Sequence, residues 1–250
     1  MSRPVVGIIG NIHVINDQYV TQAAGRMNIE AVARVCEALP LIVPALPDFV
    51  PIADLMASCD GFVFTGGRPN VHPSFYGQEE TEAHGPFDRD RDALVLPLIR
   101  ACVEGGVPIL GLCRGFQEIA VAFGSTLHPE IRELPGRMNH RMPPEGSLEE
   151  KFALRHDVRL TPGGRFAQMF GAEVVRVNSL HGQGVCEPGE RVIIEGRAED
   201  GTPEALHIAG APGFAMAVQW HAEWQAAEDP VSRALFKSFA GELGRARKAA

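Results

Sequence analysis

Four short apolar runs punctuate the first half of the chain, Val5–Ile9, Leu41–Val43, Gly61–Phe64 and Val107–Leu110, with helical patterns between them. A strand that is apolar at every position has no polar face to turn to water. It must be covered on both sides, and the architecture that does so is a parallel sheet sandwiched between helices. The covering helices are expected over the amphipathic stretch Val20–Leu39, over Pro51–Ser58, and over Asp88–Val103, whose acidic first turn suits the positive end of a helix dipole. The second half reads differently. Residues 125–165 hold many Pro and Gly residues and scattered His, and predict loops with short strands. Val174–Val177, Val192–Ala198, Glu204–Ile208 and Phe214–Trp220 read as strands, several joined as hairpins, and Pro230–Arg247 as a closing helix that begins on a proline. No internal repeat, low-complexity tract or linker interrupts the pattern, which predicts one α/β domain over residues 1–250.

Charge and cysteine usage narrow the partners. The chain carries 23 Lys and Arg against 31 Asp and Glu, a formal charge of −8, with no basic block, which argues against a nucleic-acid footprint. No apolar run approaches the ~18 residues of a membrane span. The N-terminus lacks the apolar region and cleavage site of a signal peptide. The five cysteines are odd in number and form no C-x-x-C pair, which disfavours a disulfide framework and fits a reducing, cytoplasmic setting. The histidines show no metal-ligand spacing, so neither a metal nor another cofactor is expected. Association into a homo-oligomer stays open.

One cysteine stands apart. Gly111-Leu112-Cys113-Arg114-Gly115 follows an apolar strand and precedes an apolar-periodic helix, the thiol counterpart of the G-x-S-x-G nucleophile elbow. Such a turn pushes Sγ out at the carboxyl end of a parallel sheet, where α/β proteins form their crevices. The helix N-terminus favours an anionic sulfur, and the Arg114 N–H points to where an oxyanion would form. A base is expected near the other end of the chain, where His221 follows a predicted strand and Glu223 lies two residues on. In an extended segment, positions i and i+2 point to one side, so the carboxylate can orient the imidazole. Cys113, His221 and Glu223 thus form a candidate nucleophile, base and orienter.

These residues resemble the triad of class I glutamine amidotransferases. Cys113-Arg-Gly115-Phe-Gln117 fits that family's C-x-G-x-Q, and Gln219-Trp220-His221-Ala222-Glu223-Trp224 resembles its G-V-Q-W-H-P-E-W segment, with Ala222 where Pro is usual. Thr65-Gly66-Gly67, the loop Asn178-Ser179-Leu180-His181-Gly182-Gln183-Gly184, and Ala198-Glu-Asp200-Gly201-Thr-Pro-Glu204-Ala205 are similar to segments of the γ-glutamyl-γ-aminobutyrate hydrolase branch, of peptidase C26 type. The resemblance implies a flavodoxin-like α/β fold, a central, mostly parallel sheet flanked by helices with a small antiparallel extension. It implies hydrolysis of a γ-glutamyl amide in polyamine or putrescine catabolism, through a thioester on Cys113. Backbone N–H groups at Gly67 and Arg114 would hold the oxyanion, and Gln117, Asn178, Ser179 and His181 the glutamyl group. The leaving amine would be γ-aminobutyrate or a polyamine. Residues 78–92 hold six acids against two arginines, and an acidic rim there would favour a polyamine. Two other readings stand beside this one, a glutaminase subunit feeding ammonia to a synthase partner and a non-catalytic ligand sensor.

Overall fold

A computed structural model describes residues 3–81 and 85–243. In chain order the strands are β1 (Val5–Ile9), β2 (Asn11–Ile15), β3 (Tyr19–Ala23), β4 (Leu39–Val43), β5 (Gly61–Phe64), β6 (Ile109–Leu112), β7 (Leu127–His128), β8 (His156–Leu160), β9 (Val174–Val177), β10 (Gly184–Val185), β11 (Val192–Ala198), β12 (Pro203–Ile208) and β13 (Ala215–Val218). The α-helices are α1 (Arg26–Glu30), α2 (Ile52–Ser58), α3 (Arg89–Glu104), α4 (Arg114–Ala122), α5 (Leu148–Lys151), α6 (Arg165–Phe170) and α7 (Pro230–Glu242).

Nine strands make one sheet in the order β4-β1-β5-β6-β13-β12-β11-β8-β9. The first five are parallel to their neighbours, and the four from β12 to β9 extend the sheet through antiparallel pairs. Counting only the parallel set, the order is 2-1-3-4-5, the flavodoxin-like arrangement. The fully apolar runs at the centre of the sheet are covered on both sides as expected, but Leu41–Val43 is not: β4 is the edge strand, and Leu41 and Ile42 stay exposed. Every residue of β5, β6 and β13 is buried. Alternation along β5 sends Phe62 and Phe64 into the core packed on α3 and α4, and Val63 into the core that holds Phe166, Leu235 and Phe236 of α6 and α7.

The helix expected over Val20–Leu39 is corrected at its start. Tyr19–Ala23 is a strand that pairs with β2 as an antiparallel ribbon, Ile15 opposite Tyr19. Asn16 and Asp17 make the turn with φ of 52° and 56°, a backbone region that Asn and Asp tolerate better than other side chains. The helix begins only after Gly25, and continues from α1 into a π-helical turn over Ala31–Val35. The closing helix is described to Glu242, and the remainder of the expected span from residue 244 onward lies outside the described residues.

The topology decides what meets at the carboxyl edge of the parallel strands. β6 lies between β5 and β13, so the segments that leave these three strands emerge side by side. They are Thr65-Gly66-Gly67, Cys113, and Gln219-Trp220-His221.

Candidate active site

Cys113 sits between β6 and α4 with φ 50° and ψ −101°. A left-handed φ on a residue with a Cβ costs on the order of 1–3 kcal/mol and persists only where the surroundings hold it. Here they do. The Cys113 N–H donates to the Val218 carbonyl at 3.0 Å, continuing the β6–β13 ladder one residue past the strand. Gly115 permits the sharp entry into the helix, because a Cβ there would lie 2.0 Å from the Phe64 carbonyl oxygen. Gly111 has the same function one turn earlier, with the Gly115 oxygen 2.7 Å from where its Cβ would be. The first amide of α4, that of Arg114, has no acceptor within the helix and is free to face a ligand.

His221 completes the pair. Its Nδ1 is 2.7 Å from Glu223 Oε1, and its ring lies beside Cys113 under Gly66. Burial pulls the imidazole pKa down, but the Glu223 carboxylate and the Cys113 sulfur outweigh it and hold it well above the ordinary value. A cationic imidazole beside a sulfur is the arrangement that supports a thiolate nucleophile. Glu223 is 2% exposed, which keeps its charge unscreened. Phe152, which the sequence did not single out, lies edge-on to the imidazole at 5.4 Å and stacks on Trp224 at 4.6 Å.

The glycine segment closes the site from the β5 side. A Cβ on Gly66 would meet His221 Cε1 at 2.6 Å and Cys113 Cβ at 3.5 Å, so the chain passes directly over the pair. Gly67 follows against the Arg114 side chain. A buried ionic network fixes this loop. Arg91 makes two bonds to Glu118 at 2.7 and 2.9 Å, and donates to Asn11 Oδ1 and to the Thr65 carbonyl, both at 2.6 Å. Arg114 binds Glu118, donates to Asp92 at 2.6 Å and reaches the Pro69 carbonyl at 2.8 Å. Asp92 in turn accepts the His72 N–H at 2.9 Å.

That network reduces the acidic rim, leaving Glu79, Glu80 and Asp90 exposed. Asp92 and Asp88 are buried, the first paired with Arg114 and the second capping α3 through the Arg91 N–H at 3.0 Å. Glu80 is bonded to Arg89 at 2.6 Å, and Glu82 lies outside the described residues. Two of the six acids are thus internal and a third is paired.

The residues expected to touch the glutamyl group fall into two sets. Gln117 is buried on α4, and its amide nitrogen donates to the Gln183 carbonyl at 2.7 Å and to Gln219 Oε1 at 3.1 Å. Asn178, Ser179 and His181 are turned toward protein. Asn178 holds the His221 main chain, Ser179 Oγ lies 2.9 Å from His140 Nδ1, and His181 directs Nδ1 to the Gln183 carbonyl at 3.0 Å and Nε2 toward Glu204 at 3.4 Å. Buried polar atoms need partners, and those of Asn178 and Ser179 find them inside the fold.

Known proteins are similar to this chain over most of its length. A family model described as peptidase C26 matches residues 4–223. The γ-glutamyl-γ-aminobutyrate hydrolases of Escherichia coli O157:H7 and of Escherichia coli strain K12 are 35% and 34% identical, each over 96% of this chain and 93% of its own. A solved glutamine amidotransferase of Thermotoga maritima has a TM-score of 0.58 at 15% identity, covering 96% of this chain and 99% of that one, which is a likeness of fold. The matched span runs from the first strand to the carboxylate beside His221, and on that footing this protein belongs to the peptidase C26 family.

Proposed function

We propose that the protein is a cysteine hydrolase that splits the γ-glutamyl amide of a small amine, releasing glutamate and the free amine. The observation that carries this reading is the placement of Cys113, at the head of α4, beside a His221 whose pKa Glu223 raises. The Cys113 sulfur attacks the γ-carbonyl carbon and the carbonyl electrons move to oxygen. The oxyanion is held by the N–H groups of Gly67 and Arg114, each such donor being worth ~3–4 kcal/mol of barrier. As the tetrahedral intermediate collapses, the C–N bond breaks and His221 gives its proton to the departing amine. His221, now neutral, takes a proton from water, whose oxygen displaces the sulfur and releases glutamate.

Gln117 supports a glutamyl ligand in a specific way. With its two amide protons donated to Gln183 and Gln219, what remains to offer is the carbonyl oxygen, an acceptor suited to an α-ammonium group. Asn178, Ser179 and His181 act by holding the loop and the base in place. With Asp88 and Asp92 withdrawn from the acidic rim, the leaving amine is best drawn from the named relatives, which makes γ-glutamyl-γ-aminobutyrate the first substrate to try.

The test incubates the purified protein with γ-glutamyl-γ-aminobutyrate, γ-glutamylputrescine, γ-glutamylspermidine, γ-glutamylspermine and glutamine, following glutamate and amine by mass spectrometry. Turnover of a γ-glutamyl amine, lost in Cys113→Ala, is the expected result. Turnover of glutamine alone, or none at all, would overturn the reading.

A further inference from the structure

Four buried side chains from four separate segments meet behind the 178–184 loop. They are His140, His156 at the start of β8, His181, and Glu204 on β12, none more than 7% exposed. Glu204 Oε1 lies 3.6 Å from His140 Nδ1, 3.6 Å from His156 Nε2 and 3.4 Å from His181 Nε2.

The donors and acceptors in this cluster do not balance. Each imidazole has its other nitrogen committed to a group that only accepts: His140 Nε2 to Asp200 Oδ2 at 2.9 Å, His156 Nδ1 to the Asp157 carbonyl at 3.3 Å, and His181 Nδ1 to the Gln183 carbonyl at 3.0 Å. Those nitrogens therefore carry the N–H, and in a neutral ring the nitrogen facing Glu204 presents a lone pair. Three lone pairs thus converge on a carboxylate. The Ser179 hydroxyl has one proton for two acceptors within reach, His140 Nδ1 and the His140 carbonyl at 3.1 Å. Both Glu204 oxygens, His156 Nε2 and His181 Nε2 have no hydrogen-bond partner among the described residues. A proton on Glu204 would satisfy one nitrogen and leave the others facing an acceptor. A cation at the centre satisfies them together.

We propose that His140, His156, His181 and Glu204 bind a divalent transition metal of the zinc class, which ties the 178–184 loop to β8 and β12. Tetrahedral coordination at ~2.0–2.1 Å requires ligand atoms roughly 3.3–3.5 Å apart, and the three distances from Glu204 Oε1 are 3.4–3.6 Å. The nitrogens of His140 and His156 and the Glu204 oxygen lie within 4.8 Å of one another, so they close around an ion with small side-chain movements. The N–H bonds to Asp200 and to two main-chain carbonyls are the outer contacts that fix a ligating imidazole in the required tautomer. The role is structural, because the site is buried and the loop it anchors carries Asn178, which holds His221. The sequence showed no metal spacing because no two of the four ligands come from the same element. The proposal stands independently of the hydrolytic reading.

The experiment uses the full chain in a Cys113→Ala background, so that no thiolate beside His221 competes for metal. Protein purified without chelator is assayed for metal by mass spectrometry, stripped, and titrated with cobalt(II) and zinc(II). Expected are about one metal ion per chain, the visible absorption of four-coordinate cobalt, and a zinc-dependent rise in Tm of roughly 5 °C or more. Glu204→Gln and, separately, His156→Asn abolish the cobalt spectrum and the zinc-dependent rise. The proposal is overturned by substoichiometric metal with no cobalt spectrum and no Tm response. It is equally overturned if binding survives in both variants.

Discussion

Asn178 grips the main chain of His221 from both sides: its Oδ1 accepts the His221 N–H at 2.8 Å and its Nδ2 donates to the His221 carbonyl at 3.1 Å. The imidazole is aimed at Cys113 because its backbone cannot rotate. Asn178→Ala removes both bonds, each worth roughly 0.5–1.5 kcal/mol. Steady-state kinetics should show kcat falling roughly 10- to 100-fold with a smaller change in KM, and Tm falling by about 5 °C. An unchanged kcat would show that the base needs no such support.

Glu223→Gln tests what keeps His221 cationic. The carboxylate is the largest influence that raises the imidazole pKa against the pull of burial. Without it the imidazolium loses its proton at lower pH, and with it the general acid that protonates the amine. The alkaline limb of the kcat/KM profile should therefore move to lower pH in the variant. A limb that stays in place would assign it to another group.

Gly115→Ala places a methyl group 2.0 Å from the Phe64 oxygen and 2.6 Å from its carbonyl carbon, both of them main-chain atoms that cannot swing aside. The strand and helix must part, at a cost of about 3 kcal/mol or more, and turnover should be lost with the elbow geometry. Gly241→Ala in α7 is the control, since its Cβ would meet nothing within 4 Å, and it should gain about 0.5–1 kcal/mol from helix propensity. Urea unfolding of the two variants reads both signs.

Glu118→Gln removes the anion shared by Arg91 and Arg114. Breaking a buried pair from one side strands the remaining charge and costs roughly 3–5 kcal/mol. A large drop in the unfolding midpoint is expected, with reduced kcat in whatever protein remains folded. A midpoint within error of the parent would mean that Asp92 alone balances both arginines.

Sequence reading succeeded where one residue type in one local pattern decided the outcome. Gly61–Phe64, Val174–Val177 and Val192–Ala198 are strands with the expected bounds, because burial or alternation leaves them no other element. The strand, cysteine and helix order around Cys113 was legible for the same reason, as was the short reach from His221 to Glu223. Features that depend on distant partners were not. Asp92 counts toward an acidic rim until Arg114 arrives from another helix, and Arg91 likewise finds Glu118 there. Asn178 read as a ligand contact because its partner is a main chain 43 residues away. The β2–β3 ribbon was missed although Asn16-Asp17, between two β-branched runs, is the turn chemistry that announces one.

The lateral pairing of β6 with β13 also sets when the protein becomes reactive. Residues 111 and 112 register against 217 and 218, so more than a hundred residues of chain separate the two neighbours. A ribosome that has released Cys113 has yet to synthesise the strand that delivers its base. The nascent polypeptide therefore carries a cysteine without its base, and a product truncated before residue 221 stays inert. Pairing of β13 with β6 brings the base to the nucleophile, so acyl-transfer chemistry is withheld until the fold that confines it exists.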